Sequence, residues 1–235
     1  MGSAVSVEDT FHSVLEREFN HESASTRYEF INFGVENYGL GEMMGTIHHK
    51  AMRYDPDMIL FVMTGFTPEI RWEPHEKPFV PLTHENTGWT SYVALKLKGL
   101  LGINRGQSAN KEELRDTVRR GEWGLYFKQV QQAFDELAAL SDASGIPIAA
   151  AWLRLNKTTT SSTEKLGHLF LQRAAEKNIT GVVVDLESYL KPGEPVHKLL
   201  VNRSEKHPNS YGHKLIATQL REKIFSDGAP TIPAP

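Results

Sequence analysis

The sequence predicts an α/β fold, a parallel sheet carrying helices on both faces as a three-layer α/β/α sandwich, and three observations predict it. Four stretches have strand length and strand composition: Tyr28–Phe33, Met58–Met63, Ile146–Leu153 and Gly181–Leu186. The last three are nearly continuous apolar runs, the pattern of strands buried on both faces. Amphipathic helical stretches separate them in regular alternation, which implies crossover connections and parallel strands. A chain of 235 residues fits one large domain with a real core. We assign residues 1–226 to that domain and 227–235, rich in proline and alanine, to a flexible tail.

Each element has a local reason. Asp9 or Thr10 can cap a first helix in which Phe11, Val14, Leu15 and Phe19 fall at helical spacing. Tyr28–Phe33 follows a polar loop and is closed by the turn-forming Gly34–Gly39. A second helix spans Gly41 to Arg53, stopped by Tyr54-Asp55-Pro56-Asp57, and the Met58–Met63 run ends at Thr64-Gly65. Glu69 to Pro81 is a proline-rich excursion, and with the helical-looking stretches after it we read residues 69–123 as an insertion or lid segment. Tyr126 to Ser141 places Phe127, Val130, Phe134, Leu137 and Leu140 on one helical face and ends at Gly145. Pro147 stands near the start of the next strand, where a missing donor matters least. A Thr/Ser loop then leads into a helix over Glu164 to Lys177, and the strand Gly181–Leu186 follows.

Composition excludes several function classes. Net charge is −3 and 23% of residues are charged, which gives no footprint for a nucleic-acid partner. There is no cysteine, hence no disulfide, thiol nucleophile or thiolate metal site. No apolar run approaches the ~20 residues of a membrane span, and no signal peptide opens the chain, so cytoplasm is the default expectation. His48 and His49 are adjacent and on a helix would diverge, so no metal centre is expected, and no cofactor is implied. Trp72, His75 and Trp89 can line a cleft or simply anchor the excursion; His168 reads as a surface residue.

The most informative stretch is His207-Pro208-Asn209-Ser210-Tyr211-Gly212-His213. Pro208 biases His207 toward an extended conformation. Asn209 or Ser210 can then cap a helix whose stripe is Leu215, Ile216, Leu220 and Ile224. A histidine held just ahead of a packed helix suits a general base, although a lone histidine is more often structural. In an open parallel sheet the loops at the carboxyl ends of the strands converge, bringing Gly34–Gly39, Gly65–Glu69 and the His207 loop toward one rim.

Those three loops, in that order, resemble the SGNH hydrolases, also called the GDSL esterase and lipase family. Asn32–Gly39 resembles the family's second block, Asp57–Gly65 its third, and His207-Pro208-Asn209 with Gly212-His213 its fifth. The resemblance implies a flavodoxin-like sheet and acyl transfer, in which a serine attacks an ester carbonyl, a histidine takes its proton and backbone donors hold the oxyanion. It assigns the histidine to His207. Ser204 occupies the place three residues earlier where the family has an acid, which leaves Glu205 as the nearest carboxylate, against the plainer reading of a solvated glutamate. The oxyanion and substrate positions fall at Asn37, Gly65 and Thr67. The Gly-Asp-Ser nucleophile block is missing, and by this alignment the chain starts a few residues after it, without the first strand of the sheet. Expected partners are a small-molecule or acylated substrate, with homo-oligomerisation open. Two functions follow: an ester hydrolase, truncated or inactive as this chain, or a non-catalytic binding or assembly module on the same scaffold.

Overall fold

The computed structural model describes residues 5–35, 38–64, 124–154, 161–191, 193–202 and 207–225. Within them β1 (Ile59–Thr64), β2 (Ile148–Arg154) and β3 (Thr180–Asp185) form a parallel sheet in the order β1-β2-β3. The described α-helices are α1 (Phe11–Glu22), α2 (Leu40–His49), α3 (Gly124–Ser144), α4 (Ser161–Glu176) and α5 (Ser210–Ile224). The chain is therefore mixed α/β with a small parallel sheet, as the alternating pattern predicts. The insertion expected over 69–123 and the tail over 227–235 lie outside the described residues. No described helix is long and apolar enough to cross a membrane.

The period of two along β2 divides the core. Ile148, Ala150 and Trp152 join one buried cluster with Met44 of α2, Phe134 of α3 and Phe170 of α4. Ala151 and Leu153 join a second with Leu15 of α1 and Ile216 of α5. The first cluster is organised on Phe170, whose ring centroid lies 5.0 Å from Phe134, 5.7 Å from Trp152 and 6.4 Å from Phe61. α1 buries Phe11, Val14, Leu15 and Phe19 as its spacing marks, whereas the stripes of α3 and α5 are buried only in part: Val130, Phe134 and Leu137 are enclosed with Leu215, Ile216 and Leu220, but Phe127 is exposed and Leu140 and Ile224 are half-buried. At the end of α3, Gly145 takes φ 72°, the left-handed conformation that stops a helix with no side-chain clash.

Two elements depart from expectation. The helix expected over Gly41 to Arg53 ends at His49, and Ala51–Tyr54 tightens into a 3-10 turn closed by Asp55 in the left-handed region at φ 49°. Residues 28–33 form no strand and belong to no sheet. Side chains of α1 take the place of a ladder there. Asn20 Nδ2 donates to Tyr28 O at 2.8 Å and Asn20 Oδ1 accepts from Tyr28 N at 2.7 Å, while Glu16 Oε2 accepts from Phe30 N at 2.8 Å. The Phe19 ring lies 5.4 Å from Tyr28 and 5.8 Å from Phe30. The strand expected over Tyr28–Phe33 is not formed: a strand needs a neighbouring strand, and here the neighbour is a helix.

The two edges of the sheet are finished differently. Ile59 N donates to Pro147 O at 3.0 Å, so the odd-numbered amides of β1 face β2 and those of Leu60 and Val62 face away. On the β3 edge, α5 supplies the missing partners. Lys223 Nζ donates to Val183 O at 2.6 Å; Gln219 accepts from Asp185 N at 2.9 Å and donates to Asp185 O at 2.8 Å. Among the described residues no side chain does the same for Leu60 or Val62. Val62→Pro removes only an outward amide and should cost about 1 kcal/mol or less, roughly 2–4 °C in Tm. Its register partner Ala151 is central and buried, and Ala151→Pro should cost about 3 kcal/mol or more. Thermal melts followed by circular dichroism compare the two, and equal losses would show that the outward amide of Val62 has a partner beyond the described residues.

Candidate functional site

The position of α5 fixes where the His207 loop lies. Lys223 meets Val183 while Gln219, one turn earlier in the helix, meets Asp185 further along the strand, so α5 runs antiparallel to β3. Ser210 is nine residues ahead of Gln219. At the rise of an α-helix, its first turn projects about 13 Å beyond the carboxyl end of β3. His207 is thus carried past the carboxyl rim of the sheet, where parallel α/β folds gather their sites. α1 runs alongside in the same direction: Phe11 stacks on His213 at 6.0 Å, and Arg221 pairs with Glu18 and Glu22.

Asn209 locks the loop. Its Oδ1 accepts from Gly212 N at 2.9 Å, the helix cap expected of Asn209 or Ser210. Its Nδ2 reaches back to Lys198 O at 2.8 Å and Leu200 O at 3.0 Å, and its backbone N donates to Leu199 O at 2.9 Å. Val201 N donates to His207 O at 3.0 Å, and Leu200 bridges to Pro208. This close approach needs Gly212, because a Cβ there would lie 2.5 Å from Leu199 O. Ser210 Oγ ties the loop to Asp9 Oδ2 at 3.0 Å.

The two histidines of the motif have opposite environments. His207 is half-buried, whereas His213 is 1% exposed and its Nδ1 accepts from Phe11 N at 3.3 Å. Burial lowers the His213 imidazole to about 4, with the nearby His12 and His207 pushing the same way and Asp9 opposing. A ring that is enclosed and already engaged cannot exchange protons with a substrate. His207 is the less enclosed of the pair. His213 was legible as a core position, since it shares the stripe of Ile216 and Leu220 at helical spacing, but sequence reasoning did not assign it one.

At the same rim Arg154, the last residue of β2, pairs with Asp185, the last of β3. Asp185 Oδ1 also accepts from Glu187 N at 3.1 Å, so the carboxylate is committed to holding the strand ends together. The hydrogen bond to Asp185 is the main influence raising the Arg154 pKa. Sequence reasoning missed this pair too, although both residues are charges that end apolar runs. His168 is exposed, as expected. Of the sequence-predicted site residues only His207 is described; Glu205, Asn37, Gly65 and Thr67 lie outside the described residues, as do Ser204 and the excursion with Trp72, His75 and Trp89. Among the described residues no group of three or more His, Asp or Glu is arranged to hold a metal ion.

The clamp can be separated from the cap. Asn and Asp cap helices equally well, so Asn209→Asp keeps the bond from Gly212 N but loses both donors and turns a carboxylate toward two carbonyls. It should cost at least about 1 kcal/mol, and Asn209→Ala about 2 kcal/mol or more. Urea unfolding measures both, and an Asp variant as stable as the parent would show that the reach to residues 198 and 200 contributes nothing.

No protein-family model matches this sequence, and no curated protein matches it.

Proposed function

We propose that this chain is the scaffold of an SGNH-type ester hydrolase, in which His207 is the general base of acyl transfer to and from a small acylated substrate. The observation that carries the reading is the half-buried His207, on a loop locked by Asn209 and Gly212, projecting past the carboxyl rim of a parallel sheet. Three further features support it. The order β1-β2-β3 is what a flavodoxin-like sheet has over its last three strands. The two buried clusters on alternate residues of β2 suit an α/β/α sandwich. Residues 28–33, which pair with no described strand and are held by side chains of α1, suit the segment that leads into that family's second block.

In this mechanism the imidazole of His207 takes the proton of a serine hydroxyl, supplied by the family's nucleophile block, as its oxygen bonds to the ester carbonyl carbon. The same proton passes to the alkoxide as the ester C–O bond breaks. Glu205 would orient the ring, and donors at Asn37, Gly65 and Thr67 would hold the oxyanion. Water reverses the sequence and frees the acid. The second reading is the non-catalytic module. It is favoured by one observation, Ser204 standing where an acid is needed three residues before His207.

Hydrolysis of p-nitrophenyl acetate separates them. The hydrolase reading expects turnover above buffer that falls about 100-fold or more in His207→Ala. A chain no faster than that variant rules out acyl transfer through His207 by this chain and favours the module.

A further inference from the structure

The amino-terminal turn of α1 is held in an unusual way. Thr10 occupies the cap position, yet its hydroxyl makes no cap bond and donates to Val7 O instead. The amide of Phe11, one of the orphan donors at a helix start, is accepted by the ring of His213, 202 residues away on α5. The same ring lies nearly parallel to Phe11, at 16° and 6.0 Å between centroids. Its Nε2 is buried and has no hydrogen-bond partner among the described residues. Because Nδ1 must be an unprotonated acceptor, the single proton of the neutral ring sits on Nε2.

We propose that His213 is an acid-released latch: its neutral ring fastens the first turn of α1 to α5, and proton uptake unfastens α1 together with the 28–33 segment it carries. Three consequences of protonation act together. The Nδ1 acceptor is lost, so the Phe11 amide is orphaned. A positive charge is placed at the positive end of the α1 dipole. That charge is created in a site with 1% exposure, where His12 on α1 and His207 in the loop also oppose it. Asp9 is the one carboxylate acting in the opposite sense, and it is partly occupied by Ser210. The load on the latch is defined, since Asn20 and Glu16 bind the backbone of Tyr28 and Phe30 directly. Release would expose Phe11, Val14, Leu15 and Phe19 of α1, which share a buried cluster with α5 and that face of the sheet.

The sign follows from the depressed pKa of the docked ring. Docking is fully effective above the ordinary histidine pKa of about 6.5. As pH falls from there toward about 4, the released state takes up a proton that the docked state refuses, and docking weakens. This goes beyond the hydrolase reading and does not depend on it.

Hydrogen–deuterium exchange of the full chain, corrected for intrinsic rates at pH 7.0 and 4.5, reads the latch directly. Amides of residues 11–22 should lose roughly fifty-fold in protection at the lower pH while those of 148–154 keep theirs. His213→Gln retains an acceptor for Phe11 N but cannot titrate, and should show little of that loss; His12→Gln should keep most of it. Equal acid loss in His213→Gln and the parent overturns the proposal, as does a parent whose 11–22 segment stays protected at pH 4.5. Should the Gln variant fail to fold, nuclear magnetic resonance titration of the parent decides the matter: a His213 ring protonating near 6.5 refutes the latch, and one protonating well below it supports it.

Discussion

Every backbone group of Ile148–Arg154 has to find its partner without water, and the rest of the architecture answers that demand. The strand is buried along its length up to Arg154, with β1 on one side, β3 on the other and helices over both faces. An unpaired buried amide or carbonyl costs a few kcal/mol, comparable to a large share of a domain's net stability. Small alanines at 149–151 let the flanking helices come close, while Trp152 and Leu153 fill the space toward the rim on opposite faces. The charges begin where this enclosure ends. Arg154 and Asp185 can only be placed at the strand ends, where they pair with each other and leave the interior apolar.

The same accounting explains why the outer strands look so unlike. β3 is finished by two side chains of α5 in place of a fourth strand, an arrangement that removes the edge as a template for pairing. It also fixes the height of α5 against the sheet, because Gln219 can satisfy both groups of Asp185 in only one register. The loop that ends in His207 therefore inherits its position from a hydrogen bond nine to twelve residues downstream. On the β1 side α1 plays a related part, lending Asn20 and Glu16 to a segment that has no strand beside it. Helix side chains are thus used twice as substitutes for β-partners.

Most of this was legible wherever a single periodicity decided the outcome. The stripes of α1, α3 and α5 and the apolar runs of β1, β2 and β3 are local patterns, and each element formed within a few residues of where its pattern lies. Residues 28–33 show the limit of local reading. Tyr28 and Phe30 turn inward two residues apart as in a strand, but Asn32 is exposed and Phe33 is the next to turn in; membership of a sheet is a property of the neighbour, which no window around residue 30 contains. The candidate site divides in the same way. Asn209 was readable as a cap because capping is local, whereas its reach to residues 198 and 200 and the contact of His213 with Phe11 join segments far apart in the chain.

That last contact bears on how the two histidines of one motif came to differ. They are six residues apart and share a loop and a first helical turn, yet one is a surface-facing base candidate and the other a sealed acceptor. The division follows from helix geometry. Once Asn209 starts α5, His213 must fall on the stripe with Ile216 and Leu220 and is carried into the core, while His207, ahead of Pro208, stays outside the helix. A neutral ring in the core is tolerable only if a donor meets its free nitrogen, and the first amide of α1 is such a donor with no partner in its own helix. Two local deficits, an orphan amide at the start of α1 and the acceptor nitrogen of a buried imidazole, offset each other, while the ring's Nε2 stays without a partner among the described residues. That contact binds the first helix to the last beside the rim from which His207 projects.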